Sequence, residues 1–112
     1  MEFIAELRQI QAGDPAFWSQ VYLMVTPNDY EAGDVNIDAM EVRHHDTEKG
    51  KGKGRRMLKI LTDLADKHHV VLRLEAHEDS VSDFLEEWYQ RAGFESTSEY
   101  GEYGPVMIRK PW

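Results

Sequence analysis

The chain has 112 residues, 41% of them apolar, which is one domain's length and enough apolar surface for a core without covalent staples. Its 21 Asp and Glu against 13 Lys and Arg leave a formal net charge of -8, which opposes bulk nucleic-acid binding because phosphate neutralisation supplies most of that affinity. The absence of cysteine excludes disulfide scaffolds, Cys-ligated zinc and thiol nucleophiles, and a mean hydropathy of -0.62 without a basic, apolar leader at Met1–Ile10 points to a cytoplasmic protein that makes no membrane span.

Phe3, Leu7 and Ile10 recur at i, i+4 and i+7, the spacing of a helix over residues 2–11. Ala12-Gly13-Asp14-Pro15 ends that helix or turns the chain. Residues 17–26 (FWSQVYLMVT) are aromatic and β-branched and predict a strand. After a polar turn from Pro27 to Gly33, the alternation from Val35 to Val42 predicts a second, half-buried strand, antiparallel to the first. Residues 43–54 read as a charged, glycine-punctuated loop. From Arg55 to about His68, Met57, Leu58, Ile60, Leu61, Leu64 and Ala65 form the apolar stripe of a helix. Val70–Ala76 is a strand with Val70, Leu72, Leu74 and Ala76 on one face. Ser80, with Asp83 three residues on, caps the next helix; Phe84, Leu85, Trp88, Tyr89 and Ala92 line its inner side, and Gly93 stops it. Phe94–Ser96 and Val106–Lys110 close the sheet, joined by the Tyr100–Pro105 turn. The order β-β-loop-α-β-α-β-β describes a mixed α/β sheet with helices packed on it, in a single domain over residues 1–112.

The loop Glu48-Lys49-Gly50-Lys51-Gly52-Lys53-Gly54-Arg55-Arg56 lies between a strand and a helix, the arrangement a phosphate cradle needs. Glycines let bare amides converge on an anion, and the next helix offers unpaired N–H groups and the positive end of its dipole. G-x-x-x-x-G-K-[ST] and G-x-G-x-x-G are both absent, so neither a P-loop nor a dinucleotide fingerprint is present. A solvated basic turn is the plainer reading of the same residues.

The loop resembles motif A of the GNAT N-acetyltransferases, Q/R-x-x-G-x-G/A, with Lys49 in the place of Gln or Arg before Gly50, Gly52 and Gly54. Trp88-Tyr89-Gln90-Arg91-Ala92-Gly93-Phe94 looks like the family's second landmark, L-Y-x-x-x-G-F, and the two occur in the family's order with one strand between them. The resemblance covers about residues 17–112. Within the family the chain looks most like compact, phage-type, anti-CRISPR-like acetyltransferases, on Val35–Val42 and the Arg-Lys-Pro-Trp ending. The resemblance implies acetyl-CoA as donor and acyl transfer to a primary amine, either a protein lysine or N-terminus or a small amine. It implies that the backbone of Val42, Arg43 and His44 binds pantetheine and that the amides from Gly50 to Arg55, with Lys49, Lys51 and Lys53 around them, hold the diphosphate. Tyr89 would face the thioester sulfur. Ser82 stands where the family often has an Asn that contacts pantetheine.

Acyl transfer from a thioester needs an amine that loses a proton, a donor to the developing oxyanion and a proton for the leaving thiolate. Direct attack in a ternary complex requires no protein nucleophile. Tyr89 is the candidate acid, since a phenol with an ordinary pKa of about 10 is protonated at neutral pH; a core tyrosine on an amphipathic helix is the alternative. Asp38, Glu41 and His44 are the candidate bases. Strand alternation places Asp38 on one face with Met40 and Val42, and Glu41 on the other with Ile37 and Ala39. The backbone N–H of Val42 or Arg43 is the candidate oxyanion donor.

No metal site is expected, because His44, His45, His68, His69 and His77 lack ligand spacing. Tyr30, Tyr100 and Tyr103 fall in turns and either line an acceptor cleft or cover a sheet edge. A rival class is a catalytically silent GNAT-like fold that binds CoA or a protein, with Phe17, Trp18 and Trp112 as its sticky patch. The chain is expected to be a monomer or a homodimer paired through its first strand.

Overall fold

The computed structural model describes residues 2–28, 33–42, 53–76, 82–102 and 104–111. Nine elements run in the order α1 (Glu2–Gly13), α2 (Pro15–Trp18), β1 (Val21–Pro27), β2 (Val35–Val42), α3 (Lys53–His68), β3 (Leu72–Glu75), α4 (Ser82–Arg91), β4 (Glu95–Tyr100) and β5 (Pro105–Arg109). The strands form one sheet, ordered β1-β2-β3-β5-β4. β2 and β3 are parallel and the other neighbours antiparallel, so the sheet is mixed as the sequence suggests.

The two longer connections explain where the helices lie. β2-α3-β3 joins parallel neighbours, and β3 and β4, each antiparallel to β5, are parallel to one another across α4. Right-handed crossovers stepping in the same direction place both helices on one face. The core confirms that placement. Leu58, Leu61, Leu64 and Ala65 of α3 pack with Val35, Ile37, Leu72, Leu74 and Met107 of the sheet, and with Tyr89 and Phe94 at the end of α4. Val70, Leu72, Leu74 and Ala76 are all buried, as the strand pattern requires.

α1 packs against α3 through Phe3 and Leu7 and is tied to its last turn by Glu6. Lys67 Nζ donates to both Glu6 carboxylate oxygens at 2.8 and 2.9 Å, and His68 Nε2 lies 3.1 Å from Oε1. The Lys67 hydrogen bond, opposed by partial desolvation and reinforced by His68, holds the Glu6 carboxyl below its ordinary range.

Residues 17–26 do not form one strand. Phe17 and Trp18 belong to α2, and β1 begins at Val21. Asp14 is the helix N-cap, its Oδ1 accepting from Phe17 N–H at 3.3 Å, and Pro15 occupies the first turn, where its missing N–H is not needed. Aromatic side chains signalled burial correctly, but the cap and proline decide the backbone. Phe17 is buried and Trp18 packs on the core, so neither forms an exposed sticky patch. Trp112 lies outside the described residues.

Both long crossovers end in the same device. Gly93 has a φ of 101°, Gly93 N–H donates to Gln90 carbonyl at 3.0 Å and Phe94 N–H to Tyr89 carbonyl at 3.1 Å, a Schellman stop. After α3 the positive-φ position is His69, with a φ of 54°, and Val70 N–H donates to Ala65 carbonyl at 2.8 Å. A side chain in that conformation is strained where glycine is not. His69→Gly is therefore expected to raise the unfolding free energy by about 0.5–1 kcal/mol, read by urea denaturation.

The remaining boundaries shift modestly. α3 starts at Lys53 rather than Arg55, β4 runs on to Tyr100, and β5 starts at Pro105. Ser98, with a φ of 70°, marks the irregular stretch of β4 between Ser96 and Tyr100. The Ser80 cap lies outside the described residues, as do Tyr30 and Tyr103. Among the described residues, no helix is long and apolar enough to cross a membrane.

Candidate active site

β2 and β3 pair only at Val35↔Leu72, Asn36↔Arg73 and Ile37↔Leu74. β2 then continues to Val42 with β1 alone, while β3 continues to Glu75 with β5 alone. Past Ile37, then, the β3 side of β2 has no strand partner among the described residues. Among the described residues the sheet therefore opens in its middle, and no strand pairs with the backbone of Asp38–Val42 on that side.

A β-bulge sits at the opening. Met24 pairs with Ala39 and Val25 with Ile37, so Asp38 is the extra residue on β2. The bulge shifts the alternation. Val35 and Ile37 are in the core, but so is the packing of Met40, three residues beyond Ile37. Asp38 is exposed and its Oδ2 accepts from Thr26 Oγ1 at 2.6 Å; Glu41, opposite Tyr22, is exposed as well. The strict alternation that separated the two carboxylates is thus corrected: Asp38 does not share the face of Met40, nor Glu41 that of Ile37. Both lie on the sheet face away from the helices.

At the far end of the opening, α3 begins with Lys53, Gly54, Arg55 and Arg56 and has no acidic residue in its first turn. Cations at the positive end of a helix dipole are unfavourable unless an anion joins them. α2 braces this turn. Phe17 and Val21 pack on Met57, which is fully buried. The Arg56 guanidinium stacks over the Phe17 ring at 4.2 Å and pairs with Asp14 Oδ2 at 2.8 Å. Arg56 therefore braces the turn through Phe17 and Asp14, although it is exposed like Arg55. Arg43, His44, Lys49, Gly50, Lys51 and Gly52 lie outside the described residues; Val42 ends β2 and Ser82 begins α4.

Tyr89 is held by the Schellman stop of α4. Its ring lies 5.6 Å from that of Phe94 and 5.2 Å from that of Trp88. Burial pushes its phenol up to about 12, because the phenolate would lose its hydration. The side chain thus holds its proton throughout the neutral range.

Sequence reasoning did not find Thr26, Arg109 or the role of Arg56. Arg109 Nη1 and Nη2 donate to the two Asp66 oxygens at 2.9 and 3.1 Å, and its Nε donates to the Ala92 carbonyl at 2.8 Å. Partners 43 residues apart leave no spacing to read. Among the described residues, no group of three His, Asp or Glu is placed to hold a metal ion; His68 faces Glu6, and His44, His45 and His77 lie outside them.

No family model and no curated protein matches this chain. Solved structures do. A candidate acetyltransferase of the GNAT family from Desulfovibrio desulfuricans superposes with a TM-score of 0.64 at 18% identity, over 81% of this chain and 60% of that one. A candidate acyl-CoA N-acyltransferase from Klebsiella pneumoniae superposes with a TM-score of 0.52 at 16% identity, over 99% of this chain and 90% of that one. The chain thus spans about three-fifths of the Desulfovibrio protein. A five-stranded mixed sheet that opens between parallel neighbours, with both crossover helices on one face, is in this chain the GNAT fold.

Proposed function

We propose that the chain is an N-acyltransferase that moves an acetyl group from acetyl-CoA to a primary amine. The observation that carries this reading is the parting of β2 and β3 beyond Ile37 and Leu74. A pantetheine arm carries amides spaced along an extended chain, and the side of Asp38–Val42 that no described strand pairs offers an edge to it. The basic first turn of α3 suits the diphosphate for the reason given above: the anion offsets a repulsion already built into the helix.

In this reading the backbone of Val42, Arg43 and His44, with Ser82, holds pantetheine. The amides from Gly50 to Arg55 hold the diphosphate, and Lys49, Lys51 and Lys53 surround it. Acetyl-CoA, when bound, supplies an acyl thioester open to attack by an amine. Tyr89 gives its proton to the departing sulfur. Asp38 or Glu41, on the opposite sheet face, takes the proton of the amine, and the N–H of Val42 or Arg43 faces the acyl oxygen. Thr26 keeps the Asp38 carboxylate oriented. The acceptor is a cationic primary amine, a protein lysine or N-terminus or a small amine, since the acidic chain attracts cations.

Gly52→Asp tests the cradle. A side chain there blocks backbone approach and adds like charge, so calorimetry at low salt should show acetyl-CoA affinity reduced by roughly tenfold or more, about 1.4 kcal/mol. Wild-type affinity in a folded Gly52→Asp protein would remove the cradle from the account.

A further inference from the structure

We infer that Arg109 and Asp66 are positioning residues for Tyr89, fixing α4 relative to α3 so that the two ends of the proposed acyl-CoA site keep their spacing. This rests on the acyltransferase reading. Arg109 ends β5 and is 2% exposed. Its fork closes on Asp66 in the last turn of α3, while its Nε donates to the Ala92 carbonyl. Ala92 directly follows α4, and its own N–H donates to the Tyr89 carbonyl at 3.0 Å. Tyr89 carbonyl also accepts from Phe94 N–H at 3.1 Å, and the two rings pack against each other at a tilt of 60°. A displacement of the Ala92 carbonyl therefore moves Tyr89 with it. Asp66 is 13 residues from Lys53 along one continuous helix, roughly 20 Å at helical rise. One guanidinium thus links the helix that carries the basic turn to the helix that carries the phenol.

Cohesion alone does not require this chemistry. Two charges taken out of water lose hydration, and apolar side chains of similar volume often hold a fold equally well. What a planar fork adds is direction: three bonds fix the approach of three elements, which neither a methionine nor a lysine does.

The experiment uses two variants. Asp66→Leu with Arg109→Met removes both charges together; Arg109→Lys keeps the charge and loses the fork. Both are labelled with 13Cζ-tyrosine, and the Tyr89 resonance, assigned through Tyr89→Phe, is followed from pH 9 to the alkaline limit of folding. In the wild type Tyr89 stays protonated well above the ordinary tyrosine range. In the variants the ring loosens toward solvent, and its ionisation midpoint falls by about one pH unit, tenfold in ionisation, while the melting temperature of the double variant stays near wild type. A Tyr89 midpoint identical to wild type in a folded variant overturns the inference. If the double variant fails to fold, Arg109→Lys decides it by the same reading. Failure of the wild type to bind acetyl-CoA would sink the acyltransferase reading alone, because the tyrosine titration needs no ligand.

Discussion

Arg109→Met is expected to lower the unfolding free energy by about 3–5 kcal/mol, the loss typical when one partner of a buried ion pair is removed. Methionine fills much of the volume, so the effect is electrostatic rather than a cavity. Asp66 is left with its carboxylate only 30% exposed and without the fork, and the Ala92 carbonyl at the end of α4 loses its charged donor. For a domain of this size the melting temperature falls by roughly 15–30 °C, which scanning calorimetry reads directly. The contrast with surface pairs is instructive. Arg56–Asp14 has side chains 56% and 40% exposed, and its removal costs at most about 1 kcal/mol. A fall of less than about 1 kcal/mol in Arg109→Met would show that the fork is no stronger than such a surface pair.

Tyr89→Phe is expected to reduce acetyl transfer by about 100- to 1,000-fold, the range for loss of a general acid, with acetyl-CoA affinity unchanged. Phenylalanine keeps the tilted ring contacts with Trp88 and Phe94, so only the proton is lost. The same substitution has a signature in stability. The folded-state pKa of Tyr89 is raised to about 12 from an ordinary 10, so between those values the folded chain holds a proton that the unfolded chain releases. Stability therefore falls as pH rises from about 10 to about 12, by about 3 kcal/mol for this group. Tyr89→Phe has no such proton and loses that slope. Unchanged turnover would remove Tyr89 from the chemistry and leave it as a core residue.

Where side chains repeat along one element, the sequence was legible. The stripe from Met57 to Ala65, the alternation from Val70 to Ala76 and the stop at Gly93 each follow from a period or a single φ, and each is found in place. α2 escaped because four residues are too few to show a helical period, and Asp14-Pro15 signals a turn as readily as a cap. The bulge at Asp38 was readable in principle: after Val35 and Ile37, adjacent apolar Ala39 and Met40 break the period of two, which is what an inserted residue does. The Arg109 fork could not be read at all, since its partners at 66 and 92 meet only after both crossovers have formed. The motifs from which the site is proposed are sequence features, whereas the contacts that brace α3 and α4 are not.

The proposed function requires acyl-CoA to occupy the gap between β2 and β3. Amide NMR of 15N-labelled chain during titration with acetyl-CoA tests this residue by residue. The expected result is saturable movement of the amides of Asp38–Val42 and of Lys53–Arg56, with half-saturation between roughly 1 µM and 1 mM and little change across α1. Saturation that leaves both segments unmoved, or no binding in that range, would contradict it.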